Sequence, residues 1–538
     1  MGRERKWHKV IPNMLSISIR FLASPRFPPR GSLAVLLGIV AAFLILRLPL
    51  MYRQPAGHDE EWCAVPGLMV AREGVPRIPY MPSRSIASAA YRVDEALLLL
   101  PPAYFYWQAP FYWALPAGCG TGRLASATAG LIALLLVYQL GRSLFASEAV
   151  GLWAAGLFSI SRLFFFPATC ARPDMLCATI GLGALCATWQ WDRGGGWRPL
   201  VVSGILLGLG MLTHPFANVF SIQVALWVAI AAGDWRRRVR GLGLLLSSAL
   251  AALALWLPLI VAYPDLFRTQ FFNNILDRPG RWLPLRMLLP KVSIAYHCGM
   301  LWQYVQPLQL LFIASGVAIG TILAVRSRRR GALVAAALAW SGCYLMATSV
   351  GPYTSERYWC YPAALAFLCV ATVIVKGGAW LARWCPRPLL FQVAAGAMVV
   401  GVLLPGSGVR AWAAHLRHWS DPNYDSSRFV QAVLRDLPPD AHLMVDTAFV
   451  FDVYLAGRAT IMLAGEDYGA PTPYDYLIVG PVGRQHGLAA AKNARFLRAY
   501  GDPNDEFACF AQVYRPPPSE EEEKERALKN SFQVTERD

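Results

Sequence analysis

Long, nearly uninterrupted apolar runs constrain this chain more than any single motif does. A helix needs roughly 18 to 22 apolar residues to cross ~30 Å of hydrocarbon. The sequence carries about eleven candidate segments on that criterion, at 32–51, 124–140, 150–167, 175–191, 200–212, 216–232, 242–262, 308–325, 332–350, 358–375 and 390–404. Over 538 residues, 56% are hydrophobic and 15% charged, with a mean hydropathy of +0.38. A soluble domain carries about a quarter charged residues, so the expected fold class is an α-helical multi-pass membrane protein.

A formal charge of +17 raises the question of nucleic acid, and its placement answers it. Basic residues gather in 1–30 and in short loops at Arg142, Arg193/Arg198, Arg236–Arg240, Arg326–Arg330 and Lys376–Arg387. If the spans alternate from a cytoplasmic N-terminus, every one of these loops falls on the cytoplasmic side, which is the positive-inside bias. The excess charge is a topology signal, and a nucleic-acid partner is not expected. The same alternation sends 53–123, 263–307 and everything beyond about residue 406 outside. The first span is too long and too basic-flanked for a cleaved signal peptide and reads as a retained anchor in a plasma (inner) membrane.

Composition divides the chain into a basic cytoplasmic N-terminus (1–30), a membrane domain (31–405), an extracytoplasmic α/β domain (406–515) and a charged tail (516–538) expected to be disordered. In the third part, strand-like runs at 442–445, 460–463, 476–479 and 510–514 alternate with helical stretches at 427–436 and 488–500. The eleven cysteines form no CxxC pair, so neither zinc nor redox chemistry is indicated, although Cys63 and Cys119 share an outer loop and are candidates to pair.

Ionisable groups at a membrane boundary are functional suspects because they are costly there. The first outer loop opens Gly57-His58-Asp59-Glu60-Glu61-Trp62. Three adjacent acids repel, and their pKa values should rise unless a cation offsets them. The plainer alternative is that Asp59 caps a helix over 60–73. Asp174, preceded by Arg172 and Pro173, is open to the same two readings. His214 in Thr213-His214-Pro215 is either a hydrogen-bonded helix-end residue or a ligand, and Arg357 beside Tyr358 either snorkels or meets an anion. Together these groups share one face. A carboxylate there could take a proton from an acceptor hydroxyl while Arg or His balances a lipid phosphate.

The order and spacing of several pieces resemble the GT-C polyprenyl-phosphate-sugar glycosyltransferases, the protein mannosyltransferase and aminoarabinose transferase group. The pieces are Asp59-Glu60, Gly74-Val75-Pro76-Arg77-Ile78-Pro79-Tyr80, Pro101-Pro102-Ala103-Tyr104-Phe105, Arg123-Leu124-Ala125-Ser126-Ala127, Ala171-Arg172-Pro173-Asp174, Thr213-His214-Pro215 and Glu356-Arg357-Tyr358. The resemblance implies a GT-C-like fold in which Asp59 is the catalytic base, Glu60 its helper and Asp174 a second acid shaping the site. It also implies that Arg357, with Arg172, His214, Tyr358 and Tyr80, binds donor phosphate or substrate. Where the family often has Lys-Gly-Pro this chain has His214-Pro215, and Leu100 replaces the usual His before the Pro-Pro pair.

The implied reaction moves one sugar, with inversion, from a polyprenyl-phosphate donor to a hydroxyl or phosphate on a glycan, lipid or protein acceptor. The 263–307 loop is a candidate cover over the site. No cofactor is firmly implied. Mg²⁺ or Mn²⁺ remains open, with Glu60 and His214 as candidate ligands beside His58, Asp59 and Asp174. The alternatives are a secondary transporter or flippase, which favours mid-span ionisable groups, and a surface-polysaccharide polymerase or ligase.

Overall fold

The structure, a computed structural model, describes residues 29–517 except 58, 89, 195, 277–282, 350–354, 385–387, 463–472 and 486. The basic N-terminus, His58, Arg278, Arg281 and nearly all of the charged tail therefore lie outside the described residues.

All eleven apolar segments are helical, but they are not eleven equal spans. Six continuous helical segments are long and apolar enough to cross a membrane: Arg30–Arg53, Cys119–Phe145, Trp235–Ala262, Pro307–Ser327, Arg330–Ser349 and Glu356–Leu381. Two more become spans only as bent pairs, Glu148–Ile160 with Arg162–Thr169 (65°) and Gly396–Ser407 with Val409–Arg417 (63°). Arg198–Met211 and Ala217–Ala231 are shorter apolar helices, at ~1.5 Å per residue too short to span ~30 Å of hydrocarbon alone. Hydropathy reads apolarity, and apolar runs also fill the interior of a helical bundle.

The two bends share one solution. Breaking a helix at membrane depth strands backbone carbonyls, which must find donors inside the protein. Arg47, fully buried in the first span, supplies them: Nη2 donates to Ser159 O (3.3 Å) and Nη1 to Ser407 O (2.5 Å). Its guanidinium also lies 3.7 Å from the Phe165 ring centroid.

The basic loops gather at one end of the bundle. Arg330 pairs with Asp192 at 2.5 Å, Phe145 packs with Ala324, Ala332 and Ala336, and Arg237 and Arg240 stack on Trp191 and Trp197. The long helix Cys119–Phe145 runs from the opposite, acid-bearing end, where Arg123 meets Glu60.

The C-terminal region holds a five-stranded sheet of β1 (Leu443–Val445), β2 (Thr460–Met462), β3 (Tyr476–Val479), β4 (Arg495–Tyr500) and β5 (Ala511–Arg515), in the order β2-β1-β3-β5-β4. β1 pairs in parallel with β2 and β3, while β3–β5 and β5–β4 are antiparallel. One expectation fails: 488–500 is not one helix. Helix Leu488–Ala491 ends before Asn493, whose φ of +50° suits the left-handed tolerance of Asn, and the chain then extends into β4. Phe496 meets Tyr514 edge-on across the pair. Cys63 and Cys119 do not pair; both are free thiols.

The 263–307 stretch packs onto the first outer loop through an apolar cluster of Leu266, Phe267 and Phe271 with Ala96 and Leu98, and through one buried amide. Buried Gln270 accepts from Leu98 N (2.7 Å) and Leu99 N (3.0 Å) and donates to Tyr91 O (2.7 Å) and Ala96 O (3.0 Å). Four backbone groups that no ladder pairs are satisfied this way.

Candidate active site

Helix Glu61–Glu73 in the first outer loop has no side-chain cap, and helix Asp174–Asp192 has none either. The carboxylates expected as caps point at arginines instead. Arg172 bridges two of them: Nη1 lies 2.5 Å from Asp59 Oδ2 and Nε 2.9 Å from Asp174 Oδ2. Asp174 is fully buried, whereas the Asp59 side chain keeps 43% of its surface exposed. Asp59 also holds φ at +70°, an uncommon conformation for a residue with a side chain and one that Asp tolerates better than most.

Glu60 is buried and saturated. Oε1 accepts from Arg123 Nε (2.8 Å) and Ala171 N (2.6 Å), and Oε2 from Arg123 Nη2 (2.6 Å) and Gly57 N (2.6 Å). Burial raises its pKa, but the Arg123 charge and these donors together outweigh burial and hold it below the usual range. The remaining Arg123 donors go to the carbonyls of Met51, Gln54 and Pro55. Glu60 thus ties together the first span's end, the helix Cys119–Phe145 and the turn before Asp174, and no lone-pair direction is left for an acceptor substrate.

Glu61 is the counterpart that meets no cation among the described residues. It is 1% exposed, Oε2 has no partner, and burial pushes its pKa well up, helped by Asp59 and Glu60 nearby. Of these two neighbours, Glu60 meets Arg123 and its pKa falls, while that of Glu61 rises.

Six of the seven motif pieces converge here. Tyr104 OH and Ser126 Oγ lie 2.6 Å apart, and Ser126 Oγ donates to Arg172 O (3.2 Å). These bonds fix the turn that presents Arg172. On the far side of Asp174, His214 Nε2 lies 4.0 Å from Asp174 Oδ1. Phe216 N–H donates to His214 Nδ1 (3.2 Å), which assigns the proton of the neutral ring to Nε2, facing Asp174. The imidazole packs 4.7 Å from the Tyr358 ring, and the Arg357 guanidinium lies 5.4 Å from the Phe166 ring centroid while acting electrostatically on Asp174. Asp59, Arg172, Asp174, His214, Tyr358 and Arg357 are therefore brought together.

Tyr80 is not part of that group. It packs 5.3 Å from Tyr454 of the C-terminal region, buried with its hydroxyl unpartnered and close enough to feel Glu61. Arg123 was missed as a site residue in the sequence, although an arginine opening an apolar run was signal enough. Glu60 is no free metal ligand, since both its oxygens are committed to Arg123 and backbone N–H groups, and among the described residues, which leave out His58, no three His, Cys, Asp or Glu side chains converge.

Residues 101–261 match the family model described as dolichyl-phosphate-mannose-protein mannosyltransferase. The structure superposes on ArnT from Cupriavidus metallidurans in the apo state with a TM-score of 0.56 at 15% identity, covering 90% of this chain and 98% of that one. Against ArnT bound to undecaprenyl phosphate the values are 0.54, 16%, 90% and 98%. Arabinosyltransferase EmbB from Mycobacterium smegmatis matches at 0.40 and 15%, covering 89% of this chain and 46% of that one. No curated protein matches the sequence. The family-model match over 101–261 and the shared fold agree with the resemblance to the GT-C polyprenyl-phosphate-sugar glycosyltransferases.

Proposed function

We propose that this protein transfers a single sugar, with inversion, from a polyprenyl-phosphate donor to an acceptor on the face opposite the basic loops. The observation that carries the reading is the half-exposed Asp59 carboxylate joined through Arg172 to buried Asp174, with His214 and Arg357 beside it. One group is accessible to a substrate, and the groups behind it are fixed. The orientation rests on the basic loops, which mark the cytoplasmic side of a plasma (inner) membrane. The donor class is supported by the fold, since a protein that shares it is described as bound to undecaprenyl phosphate.

In this reading Asp59 takes the proton from the acceptor hydroxyl as its oxygen attacks the anomeric carbon. The bond from that carbon to the phosphate oxygen breaks, and the electron pair leaves with polyprenyl phosphate. Arg172 and Arg357 balance the charge that develops on the leaving group. Attack and departure on opposite faces of the sugar invert its configuration. Arg172 is pre-positioned by Asp174, so the cation need not reorganise as the reaction proceeds.

Asp59→Asn should lower sugar transfer in reconstituted membranes by roughly 10²–10⁴-fold, the usual worth of a general base, with insertion and expression retained. Radiolabelled polyprenyl-phosphate sugar, followed into chloroform-insoluble and lipid products, gives the readout. Turnover by the Asn variant at the parent's rate would remove Asp59 from the mechanism.

A further inference from the structure

Between the membrane bundle and the C-terminal region lies a cavity of about 350 Å³. One wall is the end of the first span (Met51, Gln54) with the start of the helix at Gly118–Thr121; the other carries Ser426, Gln431 and Asp452. Small residues make the space. A Cβ on Gly120 would stand 2.3 Å from the Tyr52 ring, so that ring lies flat against the helix start only because residue 120 is glycine.

The cavity backs directly onto the machinery above. Gln54 and Met51, which line it, give their carbonyls to Arg123 Nη1 at 2.8 and 2.9 Å, and Arg123 holds Glu60, the neighbour of Asp59. Its chemistry differs from that of the Arg172 cluster. Among the described residues no lysine or arginine lines it, and it carries a carboxyl group, so a phosphate would be repelled. What it offers is hydroxyls (Ser426, Ser427), amides (Gln54, Gln431) and Asp452, which already accepts from Ser426 Oγ at 2.6 Å. Burial also raises the Asp452 pKa. Ligand pockets run from ~300 to 1,000 Å³, so the space suits one or two sugar rings.

We propose that this cavity binds a neutral saccharide portion of the acceptor, held by the serine, amide and Asp452 groups contributed by the C-terminal region. The inference rests on the donor–acceptor reading above and adds the acceptor's chemical class and its place. It assigns the C-terminal region a role in specificity: Arg172 and Arg357 take the anionic donor, and the cation-free cavity takes an uncharged partner.

The test uses the full chain in lipid nanodiscs, with maltose, cellobiose and lactose as probes and glucose 1-phosphate as the anionic control. Saturation-transfer NMR should detect at least one neutral disaccharide at millimolar concentration and not the phosphate. Ser427→Trp, a change at an exposed wall position, should weaken that signal at least tenfold, and Asp452→Asn should weaken it as well. Lys492→Trp, elsewhere on the same region, should leave it intact, which separates loss of the cavity from loss of folding. Absence of any saccharide signal in the parent, equal signals in the parent and Ser427→Trp, or displacement of the saccharide by polyprenyl phosphate would each overturn the proposal. Failure of the catalytic reading would show differently, as donor turnover unaffected by Asp59→Asn.

Discussion

Two arginine–carboxylate niches sit side by side at the acid-bearing end of this protein, built from the same chemical groups to different ends. In the first, Arg123 and Glu60 are 4% and 1% exposed, and every carboxylate oxygen is bonded. In the second, Arg172 is equally buried, but one of its two carboxylates, Asp59, reaches solvent. A closed pair costs desolvation and returns a fixed geometry. An open pair leaves one group that can exchange its partner for a substrate. The Glu60 niche fixes the backbone that carries Asp59, and the Asp59 niche meets the reactants. The sharpest way to break this comparison is to damage each niche by one oxygen and ask whether fold or turnover suffers.

The largest effect is expected in the closed niche. Glu60→Gln leaves the Arg123 charge buried with its counter-ion gone, which typically costs ~3–5 kcal/mol. The thermal midpoint in detergent should fall steeply and yield should drop. Glu60→Gln combined with Arg123→Met removes the stranded charge and should recover part of that loss, as replaced buried pairs often do. A Gln variant as stable as the parent would show that Glu60 is not the structural member of the two.

That assignment was only half legible in the sequence. Apolar runs placed all six helices long enough to cross a membrane, and the basic loops sorted the acids onto one end, because both signals are local and additive. The acid motif was visible too, and Asp174 and Arg172 meet Asp59 as their order suggested. What stayed hidden was the division of labour between Asp59 and Glu60. It depends on Arg123, which is 63 residues away and reaches Glu60 only once the helix beginning at Cys119 packs against the first outer loop. Likewise, 200–212 and 216–232 look like spans by hydropathy and fold as shorter helices, since hydropathy does not distinguish lipid from a protein interior. The strand β4 was lost to a helical reading because its residues are mostly exposed and carry little alternation.

In the open niche, Asp174→Asn should spare the fold more and turnover less. Arg172 keeps Asp59 as a partner at 2.5 Å, so its charge is not stranded. Its guanidinium loses the buried anchor that aims it, and a misplacement of ~1 Å can cost about a hundredfold in rate. The fall should appear in kcat rather than in the donor KM, and the midpoint should move far less than for Glu60→Gln. If the Asn variant instead loses stability and keeps kcat, the two niches do not differ in kind.

The smallest effect belongs to Glu61, and its sign separates the two neighbours. Glu60 has a lowered folded pKa, so its contribution is present above the unfolded value near ~4.3 and is lost as pH falls through the folded value. Glu61 has a raised folded pKa, so its contribution is present below ~4.3 and is lost as pH rises toward the folded value. Glu61→Gln, which keeps the shape of the protonated side chain, should therefore lie within ~1.5 kcal/mol of the parent at pH 4 to 5. As pH rises, the variant should become the more stable of the two. Melting curves from pH 4 to 8 would show the lines diverging in that direction. Divergence the other way would mean that Glu61 is ionised in the folded protein, and a cation would then have to be sought beside it at the seam with the C-terminal region.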